Sequence, residues 1–230
     1  MTPPVSLADK YELPAGRVYM NGTQALVRLL LAQKARDEAA GLNTEGFVSG
    51  YRGSPLGAVD QELWKNRALL DKHKVRFQPG LNEELAATSV WGTQMVSLDP
   101  KARVDGVFAL WYGKGPGVDR SGDVFKHGNI AGGAPHGGVL LVAGDDHACK
   151  SSSLPHQSEH AFIAAMIPVL HPSGVHEFIE FGLHGYAMSR YSGCWVGFKV
   201  ISDTVESSSS FDIDPMSVEI KIPQSYPVPA

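Results

Sequence analysis

Short apolar runs alternate with longer amphipathic stretches along most of this chain. The apolar runs predict strands at residues 45–51, 74–78, 105–112, 138–144, 168–170 and 195–201. The amphipathic stretches predict helices after Asn21, through 63–70, after Asn82, and at 157–166 and 174–191. Because strands and helices alternate, the pattern predicts an α/β fold with a doubly wound, mainly parallel sheet and helices on both faces.

The helix that follows Asn21 has the clearest periodicity and is predicted to end at Gly41. Its apolar face is formed by Ala25, Leu26, Leu29, Leu30 and Ala32. The side chains that this pattern directs toward solvent are Arg28, Lys34, Arg36 and Asp37. The segment through Phe125 and Ile130, by contrast, fits either a long loop or a weak helix.

The same pattern divides the chain into three parts. Residues 1–17 are polar and interrupted by proline, which predicts a lead-in without a core of its own. Residues 18–203 contain the alternating elements and form the predicted domain. Residues 204–230 are rich in serine and proline, which is typical of a linker or tail.

Composition narrows the functional classes. The chain has 230 residues, of which 43% are apolar and 19% charged, as in an ordinary globular domain with one core. A net charge of −4 without a basic stripe argues against nucleic-acid and anionic membrane partners. Two cysteines are too few for a disulfide scaffold or an iron–sulfur cluster ligated by this chain alone. Since no run approaches the roughly 18 apolar residues of a membrane span and the first residues lack a basic region and a long apolar segment, we expect a cytoplasmic protein.

Polar and glycine-rich loops follow four of the predicted strands. They lie at 50–57, 79–83, 113–120 and 144–153. Ligands of parallel α/β sheets bind beyond the carboxyl ends of the strands, so these loops are predicted to form one site. Asp145 and Asp146, in the last of them, are interpreted as cleft-lining or structural residues.

The start of the helix after Asn82 carries two acidic residues. Pro79 and Gly80 form a turn, Asn82 is a suitable helix cap, and Glu83 and Glu84 occupy the first helical turn. Acids at this position stabilise a helix through its dipole by about 0.3–1 kcal/mol each, so the pattern alone is compatible with a purely structural role. A functional carboxylate is the alternative.

Common motifs for other chemistries are incomplete. There is no G-x-S-x-G elbow and no G-x-x-x-x-G-K-[ST] phosphate loop, and Arg120 stands where G-x-G-x-x-G needs its last glycine. Residues 156–160 spell H-x-x-E-H. On a helix, His156 and His160 would share one face and bind zinc, with Glu159 as general base and Glu177 or Glu180 as a further ligand. The alternative is that the histidines only line a cleft and form hydrogen bonds.

Several loops taken together resemble one enzyme family. The matching segments are 51–55, 82–83, 113–120, 144–153 and 156–159. They are similar to the N-terminal part of indolepyruvate ferredoxin oxidoreductases of the long fused bacterial form, within the 2-oxoacid:acceptor oxidoreductases. The likeness extends almost continuously from residue 11 to residue 207. It implies the domain that binds the pyrimidine end of thiamine diphosphate.

The resemblance implies roles for particular residues. Glu83 matches the catalytic glutamate that hydrogen-bonds the pyrimidine ring, with Glu84 the second choice. The cofactor-binding residues implied are Gly53, Ser54, Pro55, Asn82 and Glu83. Apart from the resemblance, Arg52, Lys114 and Arg120 are candidates to meet a substrate carboxylate, and the alternative is that these loop charges are merely solvated. No metal ligand is expected from this chain.

The resemblance also implies partners. The family decarboxylates 2-oxoacids oxidatively, passes the acyl group to coenzyme A and sends the electrons to a ferredoxin-type acceptor; indolepyruvate or a related aryl pyruvate is the implied substrate. The chain lacks the G-D-G…N signature of a diphosphate-binding domain. Magnesium and the iron–sulfur cluster are therefore expected on other domains or subunits of an oligomer. A non-catalytic subunit that kept the fold remains the alternative.

Overall fold

The computed structural model describes residues 5–224. Its strands are β1 (Gly16–Asn21), β2 (Thr44–Gly50), β3 (Val75–Phe77), β4 (Gly106–Lys114), β5 (Val139–Asp145), β6 (Val169–Leu170), β7 (Val196–Ile201) and β8 (Ser208–Ile213). Its α-helices are α1 (Asp9–Glu12), α2 (Gly22–Ala39), α3 (Gly57–Lys65), α4 (Arg67–Lys72), α5 (Glu83–Gln94), α6 (Gly115–Arg120), α7 (Gly122–Ala131), α8 (Glu159–Ala164), α9 (Glu177–Ser192) and α10 (Ser202–Val205).

Six strands form one sheet in the order β3-β2-β4-β5-β7-β6, and every neighbouring pair is parallel. Alternate residues of β4 point to opposite faces: Phe108 and Leu110 join the core that contains α2 and α9, whereas Ala109 and Trp111 join the core that contains α5 and α7. Helices therefore cover both faces. The predicted doubly wound α/β fold is confirmed.

The predicted polar face of α2 is wrong for most of its residues. Lys34 and Asp37 are each 2% exposed and Arg28 is 7% exposed. The reason is that α2 contacts α9 and α3 as well as the sheet, so little of its circumference meets solvent. Lys34 donates to the Thr44 carbonyl at 2.7 Å, and Asp37 forms a bidentate ion pair with Arg190 at 2.7 and 2.8 Å.

The interpretation of residues 204–230 as linker or tail is wrong where the chain forms β8. This strand pairs antiparallel with β1, so that Gly16 lies opposite Ile213 and Asn21 opposite Ser208. The serine run was misleading because this two-stranded ribbon has a largely solvent-facing surface and is held by backbone hydrogen bonds. β1 likewise begins inside the predicted lead-in. Residues 1–4 and 225–230 of the lead-in and tail lie outside the described residues.

Other boundaries shifted by smaller amounts. The segment through Phe125 and Ile130 is a true helix, α7. The predicted glycine-rich loop 113–120 is divided between the end of β4 and helix α6. No helix between residues 5 and 224 has both the length and the apolar character needed to cross a bilayer.

Candidate active site at the carboxyl ends of the strands

The loops after β2, β3 and β4 meet at the carboxyl edge of the sheet. The backbone N–H of Gly80 donates to the carbonyl of Gly50 at 2.9 Å, and that of Tyr51 donates to the carbonyl of Tyr112 at 3.0 Å. These bonds extend the parallel pairing beyond the strands themselves. The start of α5 is thereby held beside the ends of its neighbours.

The start of α5 is fixed at both its cap and its first residue. The side chain of Asn82 accepts from the backbone N–H of Leu85 at 2.8 Å, as expected of a helix cap. The indole N–H of Trp111 donates to the backbone carbonyl of Glu83 at 2.9 Å. Glu83 is half-buried, whereas Glu84 is exposed. The two acids therefore occupy different environments, and Glu83 is the one directed into the site.

The side chain of Glu83 lies against two glycines of the segment 113–117. A Cβ atom at Gly117 would lie 2.5 Å from Cγ and 3.0 Å from Oε1 of Glu83. A Cβ atom at Gly113 would lie 3.4 Å from the same Cγ. Any larger residue at Gly117 would displace the carboxylate. The glycines thus leave room for Glu83, which explains them without a dinucleotide motif.

The loop 51–57 closes one side of the site. Gly53 lies so close to Lys114 that a Cβ atom there would be 2.7 Å from Cδ of the lysine. Pro55 is buried and follows Ser54 through a cis peptide bond. Gly144, near the end of β5, is equally close to this loop, since a Cβ atom there would lie 2.7 Å from Cγ of Leu56. The loop is therefore packed on β4 and β5.

The three basic residues predicted to bind substrate differ in their exposure to solvent. Lys114 is half-buried, and its ammonium donates to the carbonyl of Ser151 at 3.0 Å. Arg52 and Arg120 are exposed. Lys114 is thus tied to the loop after β5, while the two arginines project into solvent. Their roles toward a substrate stay predictions.

Asp146 shapes the loop to which Lys114 is tied. Its carboxylate accepts from the backbone N–H groups of Ser151 at 2.8 Å and Lys150 at 3.0 Å. The bond from Ser151, above all, holds the pKa of Asp146 below its usual value, against the opposing effect of desolvation. A structural role, one of the two predicted, accounts for Asp146.

Asp145 belongs to a buried charge network that the sequence did not reveal. Asp145 is 1% and Lys199 2% exposed, and their charged groups are 3.6 Å apart. The backbone N–H of Ser158 donates to Asp145 at 2.9 Å, and its hydroxyl donates to the other carboxylate oxygen. Lys199 also pairs with Glu159. The only available signal was a lysine within the otherwise apolar run 195–201.

His156 connects this network to α6. Its Nε2 atom lies 2.8 Å from a carboxylate oxygen of Asp119, and its Nδ1 atom lies 3.6 Å from Asp145. A Cβ atom at Gly115 would lie 2.1 Å from the imidazole ring. Helix α6 therefore contacts Glu83 through Gly117 and His156 through Gly115. At both positions, the absence of a side chain lets His156 and Glu83 pack closely against the helix backbone.

The zinc arrangement considered for residues 156–160 is not formed. Helix α8 begins at Glu159, so His156 precedes it and does not share a helical face with His160. His160 is exposed. Burial raises the pKa of Glu159, but the hydrogen bond and charge of Lys199 outweigh this effect and lower it overall. Within residues 5–224 no group of three His, Cys, Asp or Glu side chains is placed to bind a metal.

The network yields a stability prediction. Lys199→Met is expected to lower the free energy of unfolding by about 3–5 kcal/mol, because Asp145 would stay buried without its cation. Lys65→Met is the control, since Lys65 is 69% exposed and its pairing with Glu62 is correspondingly weak. Chemical denaturation followed by circular dichroism measures both. Equal stabilities of the two variants would contradict this account of the network.

Comparison with known proteins finds two similar curated proteins. No family model matches the chain. Subunit IorA of indolepyruvate oxidoreductase from Methanothermobacter marburgensis is 24% identical over 161 residues, which cover 70% of this chain and 24% of that protein. The same subunit from Methanothermobacter thermautotrophicus is 24% identical over 174 residues, covering 76% of this chain and 26% of the relative.

A solved structure shares the fold. The 2-oxoglutarate:ferredoxin oxidoreductase from Magnetococcus marinus, with 2-oxoglutarate, coenzyme A and succinyl-CoA bound, superposes with a TM-score of 0.61 at 16% sequence identity. The match covers 92% of this chain and 34% of that one. This chain thus spans about a quarter of the curated relatives and a third of the structural neighbour. The resemblance seen in the sequence is confirmed, since the two curated relatives and the structural neighbour are 2-oxoacid oxidoreductases.

Proposed function

We propose that this chain is the pyrimidine-binding half of a thiamine diphosphate-dependent 2-oxoacid:ferredoxin oxidoreductase. The observation that carries the proposal is the placement of Glu83, whose carboxylate lies against Gly117 at the carboxyl edge of the sheet. A dipole-stabilising acid needs no such recess, because it also stabilises a helix when it is solvated, and Glu84 in the same turn is exposed.

The residues present suit a bound aminopyrimidine ring. When bound, thiamine diphosphate supplies the carbon nucleophile for attack on the 2-keto carbon and accepts the electrons left by decarboxylation. The carboxyl of Glu83 would share a proton with a ring nitrogen of the pyrimidine. The cap of Asn82 and the bond from Trp111 fix the backbone that carries this carboxyl. Gly53, Ser54 and Pro55 would form a neighbouring wall of the cofactor site.

The substrate proposed is indolepyruvate or a related aryl pyruvate, with coenzyme A as acyl acceptor and a ferredoxin-type protein as electron acceptor. The names of the relatives and of the structural neighbour support these classes. Lys114, Arg52 and Arg120 are the cations proposed to meet the substrate carboxylate. Of these, Lys114 is already at the edge of the site through its bond to Ser151.

The remaining parts of the active site would come from elsewhere. Among residues 5–224 no side-chain cluster suits a metal ion, and the relatives are about four times as long as the matched segment. A diphosphate-binding domain, in the same longer chain or in a partner subunit, would hold the diphosphate and its magnesium. The iron–sulfur cluster would likewise lie outside this chain.

Nuclear magnetic resonance on the isolated, 15N-labelled chain tests the proposal. Titration with 4-amino-5-hydroxymethyl-2-methylpyrimidine, the pyrimidine half of the cofactor, should shift the backbone amides of Glu83, Gly117 and Ser54. Glu83→Gln should weaken this binding and Glu84→Gln should not, because only the carboxylate of Glu83 lies in the recess.

Whole thiamine diphosphate should bind this chain only weakly, since the charged diphosphate needs its metal and its own domain. Shifts confined to other parts of the chain would contradict the proposed site. Micromolar or tighter binding of thiamine diphosphate to the isolated chain would contradict the division of the cofactor between two domains.

A further inference from the structure

A cavity of about 330 Å³ lies between α1, α2, α4 and the segment that follows β8. We call it the Arg28 pocket; the residues that matter for its chemistry are Arg28, Leu31, Lys72, His73, Pro215 and Met216. α2 covers the face of the sheet opposite to α5, which carries Glu83. The pocket is therefore separate from the candidate active site.

Arg28 is an unusually isolated cation. It is 7% exposed, and one terminal nitrogen donates to the backbone carbonyl of Leu13 at 2.6 Å. Its Nε atom is buried without a hydrogen-bond partner. Among residues 5–224 no carboxylate lies within ion-pair distance of it. Burial, which no neighbouring carboxylate offsets, lowers the pKa of Arg28, although the guanidinium remains charged.

Buried charges in proteins are normally paired, because an unpaired one loses its hydration without compensation. The other buried cations among residues 5–224 follow that rule: Lys199 faces Asp145 and Glu159, and Lys34 pairs with Glu38. Within the same residues Arg28 has no such carboxylate partner, and it lines a cavity. Lys72 and His73 add basic groups to the wall, against the single acid Glu12. The unpaired guanidinium of Arg28 is therefore a candidate binding group for an anion in this pocket.

The walls restrict the kind of anion. Leu31, Pro215 and Met216 give the cavity an apolar side, which suits the body of an organic molecule more than a fully hydrated inorganic ion. A planar guanidinium matches the two oxygens of a carboxylate. Tyr11 also lines the pocket, and its hydroxyl donates to the carboxylate of Glu62.

We propose that the Arg28 pocket binds a small organic carboxylate that carries a compact apolar group, with its carboxylate on Arg28 and its body against Leu31 and Met216. Binding would join α2 to the segment after β8. The site needs neither Glu83 nor thiamine diphosphate, so it stands apart from the proposed function.

The test uses the full chain and three probes: 3-phenylpropionate, its neutral analogue 3-phenylpropanol, and inorganic phosphate. Calorimetry should show saturable binding of 3-phenylpropionate, and at least about tenfold weaker binding of the alcohol, which lacks the charge. Arg28→Gln should weaken 3-phenylpropionate binding at least about tenfold. Arg17→Gln should leave it unchanged, because the Arg17 side chain is 64% exposed and pairs with Asp212 on the surface ribbon.

A measurement on the parent chain guards against a variant that fails to fold. The Nε–H resonance of Arg28 should shift on addition of 3-phenylpropionate, since that group now lacks a partner. An unshifted resonance, equal affinity for the alcohol, or tighter binding of phosphate would each overturn the proposal. Undiminished binding to folded Arg28→Gln would overturn it as well.

Discussion

Glu83→Gln is expected to slow turnover about 10²–10⁴-fold in the enzyme reconstituted with its diphosphate-binding domain, the range typical of a lost general acid–base group. The amide keeps the size and shape of the side chain, so it still fits against Gly117. What it loses is the ability to share a proton with the pyrimidine ring. Steady-state kinetics with an aryl pyruvate and an artificial electron acceptor measures the effect.

Glu84→Gln is the matched control for this substitution. Glu84 is the next residue of the same helical turn and is exposed. Its replacement should cost only about 0.3–1 kcal/mol of stability through the helix dipole and should leave turnover essentially unchanged. If Glu84→Gln were the slower variant, the carboxylates would have been assigned in the wrong order.

Gly117→Ala is expected to lower activity nearly as much, by about a hundredfold, without removing any functional group. The added Cβ atom would lie 2.5 Å from Cγ of Glu83, so the carboxylate has to move. A displacement of about 1 Å in a catalytic group is enough for a loss of this size. Because the neighbour is a flexible side chain and not backbone, the domain should still fold. Turnover and chemical denaturation are measured together.

Gly92→Ala provides the comparison, since Gly92 lies in α5 with nothing within 4 Å of an added Cβ atom. It should leave activity unchanged and raise the free energy of unfolding by about 0.5–1 kcal/mol, because alanine loses less conformational freedom in a helix. Parent-like activity in Gly117→Ala would show that the recess around Glu83 has no catalytic importance.

Local sequence patterns were sufficient for the sheet and for the start of α5. β5 is apolar from Val139 to Ala143 because helices cover both faces of the sheet, and this produces a run that is easy to recognise. The helix cap at Asn82 depends on residues three positions apart, and the predicted cap is confirmed by the bond that the Leu85 N–H donates to the Asn82 side chain. These features are encoded within a few neighbouring residues.

Features that depend on distant residues were not predictable in this way. The sequence places Gly117 more than thirty positions after Glu83, and only the crossing of α6 over α5 brings them together. Lys34 and Asp37 have the periodicity of a solvent-facing side, but the Thr44 carbonyl accepts from Lys34, and Arg190 of α9 pairs with Asp37. The residues of β8 do not alternate between apolar and polar. The strand is defined by its backbone pairing with β1, which lies far away in the sequence.

The exchange rate of the thiamine C2 proton in the reconstituted enzyme tests the central claim most directly, because it isolates the proton transfer that Glu83 is proposed to promote. Rapid-quench exchange into deuterium oxide, read by proton nuclear magnetic resonance, gives this rate for the parent, Glu83→Gln and Glu84→Gln. We predict that Glu83→Gln slows exchange by at least about a hundredfold, while Glu84→Gln exchanges at the parent rate. Exchange at the parent rate in Glu83→Gln would contradict the assignment of Glu83 as the catalytic carboxylate.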